Sequence, residues 1–165
     1  MSMPAPLDTP RLHLRAPVQA DVAAMCGLLG DAQVRRFLGG PLPAAAQAMH
    51  AQAYVQQPAG TTAWAIQLRA SGQIVGLIEL GPHKDGTDHE LSYQLLPAIW
   101  GQGIATEAAR AVLDRSRAAA ALPRVIAETQ AANTRSRALL TRLGMAELHR
   151  LHRYGAAQVI YTTHP

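Results

Sequence analysis

Hydrophobic and polar positions in the first third of the chain mostly follow a helical period. Residues 12–15, LHLR, alternate apolar and polar side chains and predict a short strand that Pro17 ends. Residues 19–29 carry apolar side chains three and four positions apart, which predicts a helix. Residues 31–40 are predicted to form another short helix ended by two glycines, and the alanine-rich stretch 43–56 a third helix.

The pattern then changes to one typical of strands. The runs TAWAIQL and IVGLIEL are β-type, and Ser71-Gly72 between them indicates a hairpin. The predicted elements are strands at 62–68, 74–80 and 90–96, a helix at 104–121, a strand at 124–130, a helix between Asn133 and Gly144, and two closing strands around Gly155. A strand, a helix and a strand in succession require a parallel crossover. We therefore predict an α/β fold (an α+β mixed sheet), mostly antiparallel, with helices on both faces.

Composition limits the class of protein. The 165 residues are 48% hydrophobic and 16% charged, without a linker or repeat, and are expected to form one domain over 1–165. No apolar run reaches the ~18 residues of a membrane span, and the start of the chain does not resemble a signal peptide. The lone Cys26 predicts no internal disulfide and a cytoplasmic location. Scattered arginines and few aromatics argue against nucleic-acid binding despite a net charge of +4.

A glycine-rich turn precedes the predicted helix at 104–121. Gly101 and Gly103 leave the backbone bare, Ala105 is small, and Thr106 offers a hydroxyl. The first N–H groups of a helix are unpaired and attract anions. This turn is predicted to hold a diphosphate, and Glu107 is expected to pair with an arginine one turn later, Arg110.

Two other interpretations of the turn are open from spacing alone. The glycines could simply turn the chain between a strand and a helix. Alternatively, Gly101-x-Gly103-x-x-Thr106 nearly fits a dinucleotide fingerprint, with Glu128 placed for a ribose contact. Two features argue against the fingerprint. Its third position, which is normally Gly or Ala, is Thr106, and the motif follows an antiparallel meander rather than the first strand of a doubly wound sheet.

Two longer segments carry a resemblance to a known family. ELSYQLLPAIWGQGIATEAARAVL, followed by AETQAANTRSRALLTRLGM, resembles the GNAT superfamily of acyl-CoA-dependent N-acyltransferases, and in particular its RimJ/RimL branch of ribosomal-protein N-terminal acetyltransferases. The opening TPRLHLRAPVQADVAAM and GQIVGLIEL fit the same family, so the resemblance covers nearly the whole chain. Trp100 stands where the wider superfamily has Gln or Arg, and Trp is common there in this branch.

The resemblance implies acetyl-CoA as co-substrate and a set of residues that bind it. The strand would offer its backbone to the pantetheine arm, the turn would bind the diphosphate, and the helix at Asn133 would line the other wall. The implied residues are Tyr93, Gln94, Leu95, Trp100, Gly101, Gln102, Gly103, Ile104, Ala105, Thr106, Asn133, Ser136 and Arg137, with Arg142 as an alternative to Arg137.

The chemistry of acyl transfer suggests which side chains act. No Cys or Ser nucleophile with a His–Asp set is evident, which favours direct attack by a primary amine. Glu90 is the candidate base and Glu79 the second choice, while Ser136 could donate a proton to the leaving thiolate. The alternatives are a solvent-facing glutamate at a strand end and a solvent-facing serine in a first helical turn.

Several further expectations complete the sequence-based account. Tyr154 is expected to be a half-buried strand tyrosine. No metal site is expected. His83 and His89 have no cysteines or clustered carboxylates near them in sequence, and the side chains of His149 and His152 would point to opposite faces of a strand. The partner is an amine acceptor, a peptide N-terminus or a small molecule, and neither nucleic acid nor membrane; the chain is a monomer or homodimer. Few acidic residues where the acceptor would lie argue against polyamines. The alternative function is a non-catalytic acyl-CoA or nucleotide-binding module.

Overall fold

A single mixed sheet forms the centre of the protein. The computed structural model describes residues 4–57, 59–86, 88–118, 122 and 124–164. The strands of this part are β1 (Leu7–Asp8), β2 (Leu12–Arg15), β3 (Thr62–Leu68), β4 (Ile74–Pro82), β5 (His89–Leu95), β6 (Val125–Gln130), β7 (Ala146–Arg153) and β8 (Ala156–Thr162). Their order across the sheet is β1-β2-β3-β4-β5-β6-β8-β7, and only β5 and β6 run parallel. The predicted mixed, mostly antiparallel sheet is confirmed.

Helices cover both faces of this sheet. In the described residues they are α1 (Val22–Gly30), α2 (Ala44–Gln56), α3 (Ile104–Ala118) and α4 (Thr134–Arg142). Leu77 of β4 packs with side chains of α1 and α2, whereas the next residue, Ile78, belongs to the core cluster that includes α3 and α4. Since successive side chains of a strand point to opposite faces, the sheet has an α1–α2 face and an α3–α4 face.

Residues 31–40 differ from the prediction, because they form a series of turns rather than a helix. Oδ1 of Asp31 accepts the backbone N–H groups of Gln33 and Val34, at 2.8 and 2.9 Å. Arg35 donates to the carbonyls of Leu38 and Gly40 further along the same segment. These side-chain bonds, together with backbone turn bonds such as Arg35 N–H to the Asp31 carbonyl, satisfy the segment without a continuous helical ladder, and the apolar spacing alone did not reveal them.

The ends of the other helices follow the local signals in the sequence. Oδ1 of Asn133 accepts the Ser136 N–H at 3.2 Å and caps α4, and Gly144 after this helix has φ +81°. Helix α3 extends to Ala118, and the predicted residues 119–121 lie outside the described residues. Among the helices of the described ranges, none is long and apolar enough to cross a membrane.

The parallel strands β5 and β6 stay together for only two residue pairs. His89 faces Val125 and Glu90 faces Ile126, after which the ladder ends. On its other side β5 remains paired with β4 as far as Leu95. The edge of β5 that follows Glu90 and faces β6 is therefore free of ladder bonds. We call this opening the β5–β6 split.

Candidate active site

A bare backbone turn lies between β5 and α3. Gly101 and Gly103 have φ of +76° and +77°, a region in which other residues are strained. A Cβ built on Gly101 would meet no atom within 4 Å. The turn is thus open on that side, and it leads directly into the N-terminus of α3 at Ile104. Unpaired N–H groups there offer an anion site.

The charge next to this turn differs from the prediction. Glu107 does not pair with Arg110; its Oε2 lies 2.6 Å from Nε of Arg11, and its Oε1 accepts the Thr9 hydroxyl at 2.6 Å. Burial opposes the ionisation of Glu107, but the bonds from Thr9 and Arg11 outweigh it and lower the pKa of this carboxyl. Arg110 instead donates to the Arg142 carbonyl. The acidic side chain at the helix start is therefore neutralised by a residue from the beginning of the sheet.

Two arginines that the sequence analysis did not select lie beside the turn. Nη1 of Arg11 donates to the Gln102 carbonyl at 2.8 Å, so its guanidinium reaches the turn itself. The Arg135 guanidinium lies over the Trp100 ring, 4.9 Å from its centroid. Arg137, predicted to contact CoA, donates to the Tyr161 hydroxyl and the Ala131 carbonyl. Its role toward CoA stays a prediction, whereas Arg135 places positive charge beside the turn and Arg11 offsets the charge of Glu107 there.

Polar atoms from both faces of the sheet meet at the β5–β6 split. The hydroxyls of Tyr93 and Ser136 are 2.7 Å apart, which joins β5 to the first turn of α4. Burial raises the pKa of Tyr93 to about 12, so this phenol stays protonated at neutral pH. Oε1 of Gln94 is buried without a hydrogen-bond partner among the described residues. A buried carbonyl oxygen in this position suits an N–H donor of a bound molecule, such as the amides of pantetheine.

A cavity of about 370 Å³ opens at this place. Predicted site residues that line it are Tyr93, Gln94, Asn133 and Ser136. Its other walls come from the α1–α2 face and include Arg35, His50, Tyr54 and Glu79, together with several leucines. The cavity therefore joins the predicted thioester side to a wall formed by the first two helices and the segment between them.

Glu79 is the carboxylate of β4 that lines this cavity. Burial, followed by the nearby charge of Glu90, raises its pKa to about 6, although the Tyr54 hydroxyl acts in the opposite direction. Burial likewise raises the pKa of Tyr54 far above its usual range, with Glu79 the next contributor. A carboxyl with a pKa close to neutral can both take up and release a proton at physiological pH.

Glu90 lies where β5 and β6 part. Its Oε1 accepts the backbone N–H of Glu128 at 3.4 Å, at a position where β6 remains paired with β8 but no longer with β5. Burial raises the pKa of the Glu90 carboxyl, while the nearby His83 acts to lower it. Glu79 and Glu90 point to the same side of the sheet, since Glu79 pairs with Ser92 and Gly81 pairs with Glu90.

His83 has carboxylate neighbours, contrary to the sequence-based expectation. Its Nε2 lies 3.1 Å from Oε2 of Glu128, and one ligand atom each of His83, Glu90 and Glu128 fall within 4.8 Å of one another. The Glu128 carboxylate is also 3.0 Å from Nε of Arg153 and 3.9 Å from Nζ of Lys84. These two cations already balance its charge, and Glu128 is engaged in this cluster rather than free for a ribose. The absence of a metal remains a prediction.

Tyr154 also differs from its expected place. It occupies the turn between β7 and β8 with φ +53°, and 74% of its surface is exposed. The ammonium of Lys84 lies 4.1 Å from its ring centroid. Tyr154 is therefore a surface residue of the hairpin tip and not a half-buried strand residue.

Comparisons with known proteins agree with this geometry. Residues 11–146 match the family described as "Acetyltransferase (GNAT) domain". The uncharacterized N-acetyltransferase YoaA of Bacillus subtilis (strain 168) is 26% identical over 155 residues, 90% of this chain and 86% of YoaA. An acetyltransferase of Agrobacterium tumefaciens str. C58 superposes with a TM-score of 0.83 and 26% identity, covering 100% of this chain and 96% of that chain. RimL, a ribosomal L7/L12 alpha-N-protein acetyltransferase solved in complex with coenzyme A, superposes with a TM-score of 0.77 and 15% identity, covering 96% and 97%.

The chain belongs to the GNAT acetyltransferase family and is an N-acetyltransferase. Members of this family transfer an acetyl group from acetyl-CoA to amines. The dinucleotide interpretation of the glycine turn is wrong, because the sheet has one parallel pair and not the doubly wound arrangement that the fingerprint serves.

Proposed function

We propose that this protein, acting as one domain over residues 1–165, transfers the acetyl group of acetyl-CoA to a primary amine by direct attack. One observation carries the proposal: a cavity lined by both a carboxyl of raised pKa, Glu79, and a hydroxyl, Ser136, opens at the β5–β6 split. The free Cys26 supports a reducing, cytoplasmic location. A monomer or a homodimer is compatible with this arrangement.

The residues around the turn fit coenzyme A. The N–H groups of 101–106 would bind its diphosphate, with Arg135 supplying positive charge and Arg11 offsetting the Glu107 carboxylate at the helix start. The buried Gln94 oxygen and the free edge of β5 suit the amides of the pantetheine arm, which would lie as an added strand. Acetyl-CoA supplies the thioester carbonyl, and the protein holds that carbonyl in the cavity.

Each proton of the reaction has a group to receive or supply it. Glu79 takes a proton from the acceptor nitrogen, directly or through one water, as the new N–C bond forms. Burial, followed by the charge of the nearby Glu90, keeps the pKa of Glu79 high. As the C–S bond breaks, the Ser136 hydroxyl donates its proton to the thiolate and regains a proton from water, while the Tyr93 hydroxyl, 2.7 Å away, stays protonated and orients Ser136.

The energetic cost of deprotonation favours acceptors of low pKa. An α-amine of pKa ~7.8 loses its proton at pH 7 for about 1 kcal/mol, whereas a lysine side chain costs about 4.6 kcal/mol. A carboxyl with a pKa of about 6 is a weak base and suits the first kind. The RimL structure is that of an α-N-protein acetyltransferase, which agrees with an α-amino acceptor here.

A thiol-release assay with acetyl-CoA and a panel of amines, amino acids, peptides and polyamines tests the proposal. We expect CoA release that depends on an added α-amine and an acetylated product of matching mass. The control is the Glu79→Gln variant, which should bind acetyl-CoA normally and release CoA slowly. Tight CoA binding without turnover of any acceptor would contradict the proposal and favour a non-catalytic binding module.

A further inference from the structure

One cavity wall carries a cation that no carboxylate of the described residues neutralises. Arg35 lines the cavity together with Glu79, and it is the single Lys or Arg among the described residues that do so. In the described part of the chain, neither side chain forms an ion pair with any other residue. Both charges act on Tyr54: after burial, the Glu79 carboxylate raises the pKa of this phenol, whereas the Arg35 guanidinium lowers it. The cavity thus contains opposite charges that do not pair with each other.

The guanidinium of Arg35 is held in place by its own segment. Its Nε donates to the Gly40 carbonyl at 2.7 Å and its Nη2 to the Leu38 carbonyl at 2.6 Å. The segment is tied to the sheet through Nε2 of Gln130, which donates to the Phe37 carbonyl at 3.2 Å. A guanidinium has five N–H donors, so these two bonds leave three for a ligand. An arginine fixed in this way loses little conformational entropy when it binds an anion.

We infer that the acceptor is an amino carboxylate, whose amine faces Glu79 and whose carboxylate is bound by Arg35, the residue that sets acceptor specificity. This inference rests on the acetyl transfer proposed above. A planar guanidinium matches a carboxylate with two parallel hydrogen bonds, which an amide carbonyl cannot reproduce. Arg35 also repels a second ammonium group, so diamines and polyamines are poor acceptors. Val34, Leu38 and Leu42 also line the cavity and suit an apolar side chain on the α-carbon of the acceptor.

The role of Arg35 in binding a carboxylate is tested with acceptors that carry a carboxylate, an amide or only hydrogen on the carbon beside the amine. We compare leucine, leucinamide and 3-methylbutylamine as acceptors for the wild type and for Arg35→Gln, with Arg36→Gln as the control. Arg36 is exposed, and its replacement removes the same charge from the same segment. The ratio of variant to wild-type kcat/KM for each acceptor cancels the different amine pKa values. We expect Arg35→Gln to lower kcat/KM about 10- to 100-fold for leucine and less than about 2-fold for 3-methylbutylamine. Equal losses for all three acceptors would overturn the inference.

Binding of the product provides a readout that does not depend on catalysis. We expect N-acetylleucine to bind the wild type at least about ten-fold more tightly than N-acetylleucinamide in calorimetric titrations. Arg35→Gln should abolish that difference. Arg35→Lys keeps the charge but cannot donate two parallel hydrogen bonds, so it should retain part of the difference. Equal binding of the two products by the wild type would overturn the inference even if the variants did not fold.

The two proposals fail in different ways. Acetylation of all acceptors with no dependence on Arg35 would leave acetyl transfer intact and remove only the role of this residue. No CoA release with any acceptor would contradict acetyl transfer, while the titrations with N-acetylleucine would still report on the carboxylate site.

Discussion

Replacing Glu79 by glutamine should make the protein more stable and less active at the same time. Burial and the Glu90 charge raise the pKa of this carboxyl from 4.5 to about 6 in the folded state. The folded state therefore binds the proton more tightly than the unfolded chain, and stability falls as the pH rises from about 4.5 to about 6. The glutamine side chain of the Glu79→Gln variant has nearly the shape of the protonated carboxyl and carries no charge at any pH.

The size of the effect follows from the shift in pKa. A difference of about 1.5 pKa units corresponds to about 2 kcal/mol, which the ionised wild-type side chain costs the folded state at pH 8. At pH 5 the same linkage gives less than half of this cost, since the folded carboxyl is still mostly protonated. The advantage of Glu79→Gln in the free energy of unfolding should thus grow by about 1 kcal/mol between pH 5 and pH 8.

Urea unfolding of both proteins at the two pH values measures this difference, and the pH profile of kcat measures the catalytic side. We expect the wild-type kcat to rise with pH through about 6 and this rise to be missing in Glu79→Gln, with acetyl-CoA affinity unchanged. A variant that is less stable than the wild type at pH 8, or that keeps the rise in kcat, would refute the role assigned to Glu79.

Three further substitutions separate the parts of the site. Glu90→Gln removes the repulsive neighbour of Glu79, so the rise of kcat should move to lower pH, as pH profiles will show; an unchanged profile would contradict the coupling. Tyr93→Phe removes the partner of Ser136 and should lower kcat about ten-fold with an unchanged Kd for acetyl-CoA, and a changed Kd alone would indicate a purely structural role. Gly101→Ala should lower the free energy of unfolding by about 1–2 kcal/mol, because φ is +76° at this position. It should also weaken acetyl-CoA binding in titrations, because the new methyl would occupy the open side of the turn; unchanged binding would contradict the role of the turn in binding the diphosphate.

Features that depend on nearby residues were predicted well from the sequence. The hairpin at Gly72, which has φ +73°, and the cap of α4 at Asn133 both follow from side chains within four positions. The parallel crossover of β5, α3 and β6 followed from the element order, although β2 and β3, which are also joined through helices, pair antiparallel. The mixed, mostly antiparallel character of the sheet could be predicted because these local elements leave few ways to connect, whereas strand β1 (Leu7–Asp8) and the strand order were not predicted.

Features that depend on contacts between distant residues could not be predicted. Glu107 is neutralised by Arg11, 96 positions away, whereas the sequence offered Arg110 one turn along the helix. His83, which follows β4, contacts Glu128 of β6 only because β5 pairs with both strands in the sheet. The hydrogen bonds that hold Arg35 form within a series of turns, and the spacing of hydrophobic residues does not predict the conformation of such turns. Charge placement in the site therefore had to come from the structure.

Amide hydrogen exchange of the turn tests the central claim most directly. Residues 101–106 present N–H groups that lack helical partners, so they should exchange rapidly in the free protein. Saturating acetyl-CoA should slow exchange in this segment and along β5 at 93–95 at least about ten-fold, as bound phosphates and pantetheine take up these donors. Unchanged exchange in both segments at saturating acetyl-CoA would contradict the account.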